Sequence, residues 1–211
     1  MIYYRRSFFI DGNLPTKFGS LILERQNMKK IWRQIEIWLE ANTPEVYSAL
    51  AKPATERQIE DAEKHLGVKL PRAVKDSYLI HDGTKYETLL DGWEILSLKN
   101  AVDAWKFLKE LFDEGTLDVD CRTDSEFIKP VWWHERWIPI LYDRCGNYLC
   151  ADLAPQRGGK RGQIIAYYHD EDKRYLLADG LENYLRDFAE NLAANRYQTN
   201  KYGSVELIEN E

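Results

Sequence analysis

The chain has 211 residues, room for one domain with extensions, and a chain of that size buries about 70% of its unfolded surface without a disulfide or metal staple. Its 44% hydrophobic and 30% charged content excludes a wholly disordered chain, and apolar runs such as Phe8-Phe9-Ile10 fall far short of the ~18 residues that span a bilayer. A net charge of −6, from 29 basic and 35 acidic residues, argues against a primary nucleic-acid binder.

Residues 1–27 show no sustained periodicity and carry turn signals at Asp11-Gly12-Asn13 and Leu14-Pro15. They read as an N-terminal extension, either disordered or contributing Phe8, Phe9 and Ile10 as an edge strand. They lack the apolar stretch and small-residue cleavage site of a secretory signal. Met28 opens the first convincing helix, with Ile31, Trp32, Ile35, Trp38 and Leu39 at helical spacing. Thr55-Glu56-Arg57-Gln58 is a capping box, followed by an apolar face of Ile59, Ala62 and Leu66 and a left-handed stop at Gly67. Leu70-Pro71 starts another helix, with Val74 and Tyr78 on its stripe and an end at Asp82-Gly83.

Trp93 to Leu96 alternates as a strand, and Ala101, Trp105, Leu108 and Phe112 repeat as a helix. From Trp137 the period changes to strands: Trp137–Tyr142, Tyr148–Leu153, Gln163–Tyr168 and Tyr175–Ala178, separated by turns. Leu181, Tyr184, Leu185, Phe188 and Leu192 form a closing amphipathic helix, and residues 196–211 read as a polar tail. Helices, then a strand meander, then a helix predict an α+β fold: one domain over 28–195, with an antiparallel-rich sheet flanked by helices.

Candidate chemistry is sparse. Three cysteines without a CxxC pair predict a reducing, cytoplasmic setting rather than a disulfide framework. Cys145 and Cys150, with His134 and His169, match no zinc spacing and form no evident nucleophile–base pair. Asp118 to Glu126 fails as a calcium loop, because Arg122 and Thr123 stand where an oxygen ligand and glycine are required. Gln156 to Gly162 lacks the Gly-Lys-Ser/Thr end of a phosphate loop. No catalytic residue, metal or cofactor is expected.

Charge is unevenly spread. Glu110 to Glu126 holds seven acids against Arg122 alone, a balance of −6 that equals the charge of the whole chain. Trp132, Trp133 and Trp137 follow within a few residues. An aromatic anchor rimmed by charge is how tight interfaces are composed, so Asp118, Asp120, Asp124 and Glu126 are expected to steer a basic partner that Trp132 or Trp133 anchors.

The run Lys52 to Pro71, with its Glu63-Lys64-His65-Leu66-Gly67 helix end and Leu70-Pro71, resembles the opening signature of the Smi/Knr-type family of the SUKH superfamily. His81-Asp82-Gly83, Gly92 to Leu96, Trp137 to Ile140, Asp143 to Asn147, Asp152 to Pro155 and Gly162 to Ile165 are similar to its later elements. The resemblance covers roughly Thr43 to Asn195, and departs from the pattern at Cys145 and in the acidic insertion before Trp132. It implies a non-catalytic binding protein. Bacterial members are mostly immunity proteins that neutralise a cognate polymorphic toxin of nuclease or deaminase type, and that is the leading expectation here. Fungal members are regulators and scaffolds linked to cell-wall synthesis, which is the alternative. Either way the partner is a protein, not a nucleic acid or a membrane.

Overall fold

A computed structural model describes residues 17–85, 88–90, 92–117, 119–200 and 205–208, with side chains described from residue 25. The expected strand at Phe8–Ile10 lies outside these residues, as does Asp118.

The first described element is helix α1 (Lys17–Asn42), which starts eleven residues before the apolar periodicity at Met28. The periodicity marks a buried stretch within the helix: Met28, Ile31, Trp32, Ile35 and Leu39 are all at most 5% exposed. The preceding turns need only good helix formers such as Leu21, Leu23, Glu24 and Arg25, because propagating an existing helix is far easier than nucleating one. A short α2 (Pro44–Ala49) follows. Helix α3 (Glu56–Leu66) opens with the expected capping box: Gln58 N–H donates to Thr55 Oγ1 at 3.2 Å, and Thr55 N–H donates to Gln58 Oε1 at 2.8 Å. It stops at Gly67, whose φ of 66° is the left-handed region that glycine adopts without strain. Helix α4 (Arg72–Tyr78) begins directly after Pro71.

Asp82-Gly83 then joins the helical half to the sheet. Asp82 Oδ1 accepts from Leu98 N–H, and Gly83 packs so closely that a Cβ would lie 2.6 Å from the Ile95 carbonyl oxygen. The remaining elements are β1 (Glu94–Ile95), α5 (Leu98–Asp113), β2 (Arg122–Thr123), β3 (Trp137–Tyr142), β4 (Tyr148–Asp152), β5 (Gln163–Tyr167), β6 (Lys173–Ala178), α6 (Leu181–Ala193), β7 (Tyr197–Thr199) and β8 (Val205–Leu207). Six strands form one sheet in the order β1-β3-β4-β5-β6-β2. Its pairs are antiparallel except β2 with β6, so the fold is α+β with a mostly antiparallel sheet. The β3–β4 register shifts between Pro139 and Leu141, where proline has no N–H to give the ladder.

Alternation along the strands divides the core in two. Ile138, Ile140, Leu149, Ala151, Ile164 and Ala166 meet the helical layer on one face. There α1 packs on α2, α4 and α6, and each fully buried Leu or Ile contributes about 1.5–3 kcal/mol. Trp137, Tyr148, Cys150, Ile165 and Tyr167 point to the other face, under α5 and the irregular chain that follows it. The segment after Arg196, expected to be a polar tail, instead pairs as the β7–β8 hairpin. Val205 is fully buried in the first core, and Tyr197 meets Phe188 edge-on at 5.0 Å. Two apolar side chains at the right spacing outweigh the polar composition around them.

Candidate functional site

The second face carries one continuous row of in-register side chains. Glu94 pairs with Tyr142, Tyr142 with Tyr148, Tyr148 with Tyr167 and Tyr167 with Arg174, so the row crosses five strands. Directly opposed residues share a face, which puts all five side chains in line. Tyr142 and Tyr148 stack at 5.0 Å with a 19° interplanar angle, and Tyr148 meets Tyr167 at 6.2 Å. Burial raises the pKa of the Tyr148 and Tyr167 hydroxyls, keeping them neutral.

At the β6 end the row closes on Arg174, which is 0% exposed. Its guanidinium lies between two rings, 4.6 Å from the Tyr167 centroid and 4.9 Å from that of Trp132. Among the described residues no carboxylate pairs with it through a hydrogen bond. Instead it donates to the backbone carbonyls of Trp132, Glu171 and Lys173 at 2.7–3.0 Å. Burial pulls its pKa below the usual arginine value. A planar group with five donors is the side chain that can satisfy carbonyls at its edge and rings on its faces at once.

At the β1 end the row opens. Glu94 is buried, and its Oε2 accepts from Arg144 Nε at 2.9 Å. Above Glu94, Tyr142 and Tyr148 lies a cleft of about 430 Å³, walled on its far side by Asn100, Asp103 and Ala104 of α5. Ser97 positions this helix by accepting from Asn100 N–H at 3.2 Å. Phe107 follows one turn further along the same helix, 55% exposed, and Phe112 and Val119 are 37% and 52% exposed beyond it. Glu110, Asp113 and Glu114 stand exposed among them, with Asp113 paired to Lys109.

The residues expected to form a binding surface are only partly brought together. Asp120 bridges to Val131, and Trp132 N–H donates to the Val119 carbonyl, so Asp120 lies beside Trp132. Asp120, Asp124 and Glu126 are exposed, but Asp124 Oδ1 is occupied, accepting from Leu176 N–H at 2.9 Å. Trp133 is 1% exposed in the second core, with Phe112 edge-on at 5.6 Å, and offers no surface anchor. Adjacent residues of an extended chain point to opposite sides, so Trp132 and Trp133 could not both face a partner. Trp132 itself roofs Arg174. What the sequence reading missed is the row and the cleft, whose members come from five strands and α5.

The chemistry-bearing side chains serve packing and turns. Cys150 and Cys121 are buried, and burial raises both thiol pKa values. Burial and the neighbouring Lys129 lower the pKa of His134, whose Nδ1 accepts from Arg136 N–H. Cys145 is exposed in the turn that Asp143 Oδ1 organises by accepting from the N–H groups of Cys145 and Asn147. Among the described residues no group of three or more His, Cys, Asp or Glu could hold a metal ion, and no helix is long and apolar enough to cross a membrane.

The chain is similar to several fungal proteins. It is 29% identical to the cell wall assembly regulator SMI1 of Saccharomyces cerevisiae, over 79% of this chain and 40% of that protein. It is 31% identical to the cell wall biosynthesis/cell cycle regulator smi1 of Schizosaccharomyces pombe, over 73% of this chain and 34% of that one. A glucan synthesis regulatory protein of Neurospora crassa is 28% identical over 79% of this chain and 38% of its own length. The chain thus spans about a third to two-fifths of these relatives. Residues 53–187 match the model of one family, and they include α3, the Asp82-Gly83 junction and the whole Glu94-to-Arg174 row. The chain belongs to the SMI1/KNR4 family (SUKH-1).

Proposed function

We propose that this chain is a non-enzymatic regulatory binding protein of cell-wall synthesis, acting in the cytoplasm by holding a partner protein on the α5 side of the sheet. The observation that carries the reading is the exposure of Phe107, Phe112 and Val119 among Glu110, Asp113 and Glu114. Large apolar side chains left in water and rimmed by charge are the composition of a protein interface. The acidic rim favours a basic partner, whose approach it accelerates by steering. The relatives named as regulators of wall assembly and glucan synthesis support a regulatory role over toxin neutralisation, for which only the acidity of this surface speaks.

The test replaces the gene in its own host with one encoding Phe107→Asp and Phe112→Ser together. Phe107 is exposed and Phe112 is partly exposed against Trp133, so the fold and abundance of the double variant are checked by thermal unfolding and immunoblot, and Phe107→Asp alone serves as the second variant. Wall glucan content and growth under wall stress should then match those of a strain lacking the gene. Normal wall function with this surface destroyed, or no wall phenotype on deletion, would overturn the reading.

A further inference from the structure

The two ends of the Glu94-to-Arg174 row differ in one respect. At one end a guanidinium sits against the rings, and at the other the carboxylate of Glu94 faces a cleft. Glu94 is 5% exposed, and Oε2 alone of its oxygens is engaged, by Arg144. Its Oε1 accepts no hydrogen bond from the described residues. Asp103 uses Oδ2 for Lys99 at 2.6 Å, its Oδ1 accepts no hydrogen bond from the described residues, and the Asn100 amide lines the same wall. Arg144, the one cation among the described residues that line the cleft, gives its Nε–H to Glu94.

We propose that this cleft takes the guanidinium of an arginine side chain presented by the partner protein, an assignment that rests on reading the α5 side as the partner surface. Three arguments converge. The described lining carries two carboxylates, Glu94 and Asp103, against the one guanidinium of Arg144, so its charge favours a positively charged occupant that donates hydrogen bonds. Its floor is the Tyr142–Tyr148 stack, and aromatic rings attract a flat cation more than an anion or a neutral amide. The same row already holds a guanidinium at its other end, 4.6 Å from Tyr167, so another tyrosine of the row accommodates this group. Lysine has the charge but not the planar fork, and an aliphatic side chain would leave Glu94 Oε1 desolvated and unpaired. The exposed Glu110, Asp113 and Glu114 further along α5 favour a partner with further positive charge around that arginine.

The experiment titrates the full chain with N-acetyl-arginine amide and, separately, with the lysine and leucine amides and a short β-glucan oligosaccharide, following backbone and side-chain resonances by NMR. Saturable shifts centred on Glu94, Asn100 and Tyr142 are expected with the arginine probe, with an affinity at least about fivefold above that for lysine. Glu94→Gln should weaken arginine binding about tenfold, and the exposed Asp103→Asn, which cannot disturb the fold, by about threefold. Equal response to leucine, tighter binding of the oligosaccharide, shifts elsewhere on the chain, or arginine binding unaltered in both variants would each overturn the assignment. Wall function of the Phe107→Asp, Phe112→Ser protein tests the partner surface without reference to arginine. A wall defect there with no arginine binding here would therefore remove the arginine assignment and leave the proposed function standing.

Discussion

The two faces of the sheet are held down by different physics. On one, regular helices cover aliphatic residues such as Leu149, Ala151, Ile164 and Ala166, and the interior of each helix satisfies its own backbone. On the other, residues 114–136 run mostly without ladder or helix, so their peptide groups need partners from elsewhere. Buried polar side chains of the sheet supply them. Arg174 binds the Trp132 carbonyl, and Gln163 Nε2 donates to both the Phe127 carbonyl and Asp152 Oδ2. Arg174, Asp152 and Gln163 are each at most 1% exposed. The difference teaches that a helical cover demands volume and apolarity, whereas an irregular cover demands directional bonds at named atoms. It also explains why the cleft is on the second face: α5 is the one regular element there, and space remains beside it.

Replacing Arg174 should give the largest effect. Arg174→Ala removes the buried cation and strands three carbonyls, at an expected cost of about 3–5 kcal/mol in chemical denaturation. Arg174→Lys should recover little of it, since an ammonium cannot bridge the same carbonyls while stacking on two rings. A cost under about 1 kcal/mol for the alanine variant would erase the distinction between the faces. On the helical face, Leu149→Ala should cost about 2–4 kcal/mol, but Leu149→Met less than about 1.5, because volume is what that face requires.

Acid sharpens the comparison, because the two faces carry buried carboxylates shifted in opposite directions. Burial would raise Glu63 of α3, yet Lys69 and the Leu70 N–H outweigh it and hold its pKa below the usual 4.5. Its stabilising contribution is complete above pH 4.5 and is lost as pH falls through the lower folded value. Burial raises Asp152 above its usual 3.8, against the hydrogen bonds from Ala154 and Gln163. That group favours the folded state below pH 3.8 and loses this contribution as pH rises through its higher folded value. The stability gap between the wild type and Glu63→Gln should therefore be widest at neutral pH and close toward pH 3, by about 1 kcal/mol in denaturant titrations. Carbon-detected NMR should place the Asp152 midpoint above 3.8 and the Glu63 midpoint below 4.5. The smallest effect belongs to Cys145→Ser. An exposed turn thiol with no role in either face should change stability by no more than about 0.5 kcal/mol in denaturant titrations.

Much of this architecture was legible in the sequence. The Thr55–Gln58 box, the Gly67 stop, the strands from Trp137 onward and the α6 stripe all stand where local chemistry puts them. Capping bonds and left-handed turns close within a few residues, and apolar period follows from the geometry of the element that carries it. The α1 start was hidden because its first turns carry no sustained apolar period, and the β7–β8 pair because its apolar residues, Tyr197, Val205, Leu207 and Ile208, are few and scattered among polar ones.

The residues of the candidate site lay beyond such local reasoning. Arg174, in the run Lys173-Arg174-Tyr175, is indistinguishable in sequence from any exposed strand-end charge. Its burial was decided by cross-strand register with Tyr167 and by Trp132, 42 residues away. Glu94, Asn100 and Tyr142 likewise meet only because β1, β3 and α5 are folded against one another. The sequence by itself determined which segments are helix or strand, since that depends on near neighbours. Only the tertiary structure decided which charges are buried and which rings align, because those outcomes depend on partners that the chain brings together from a distance.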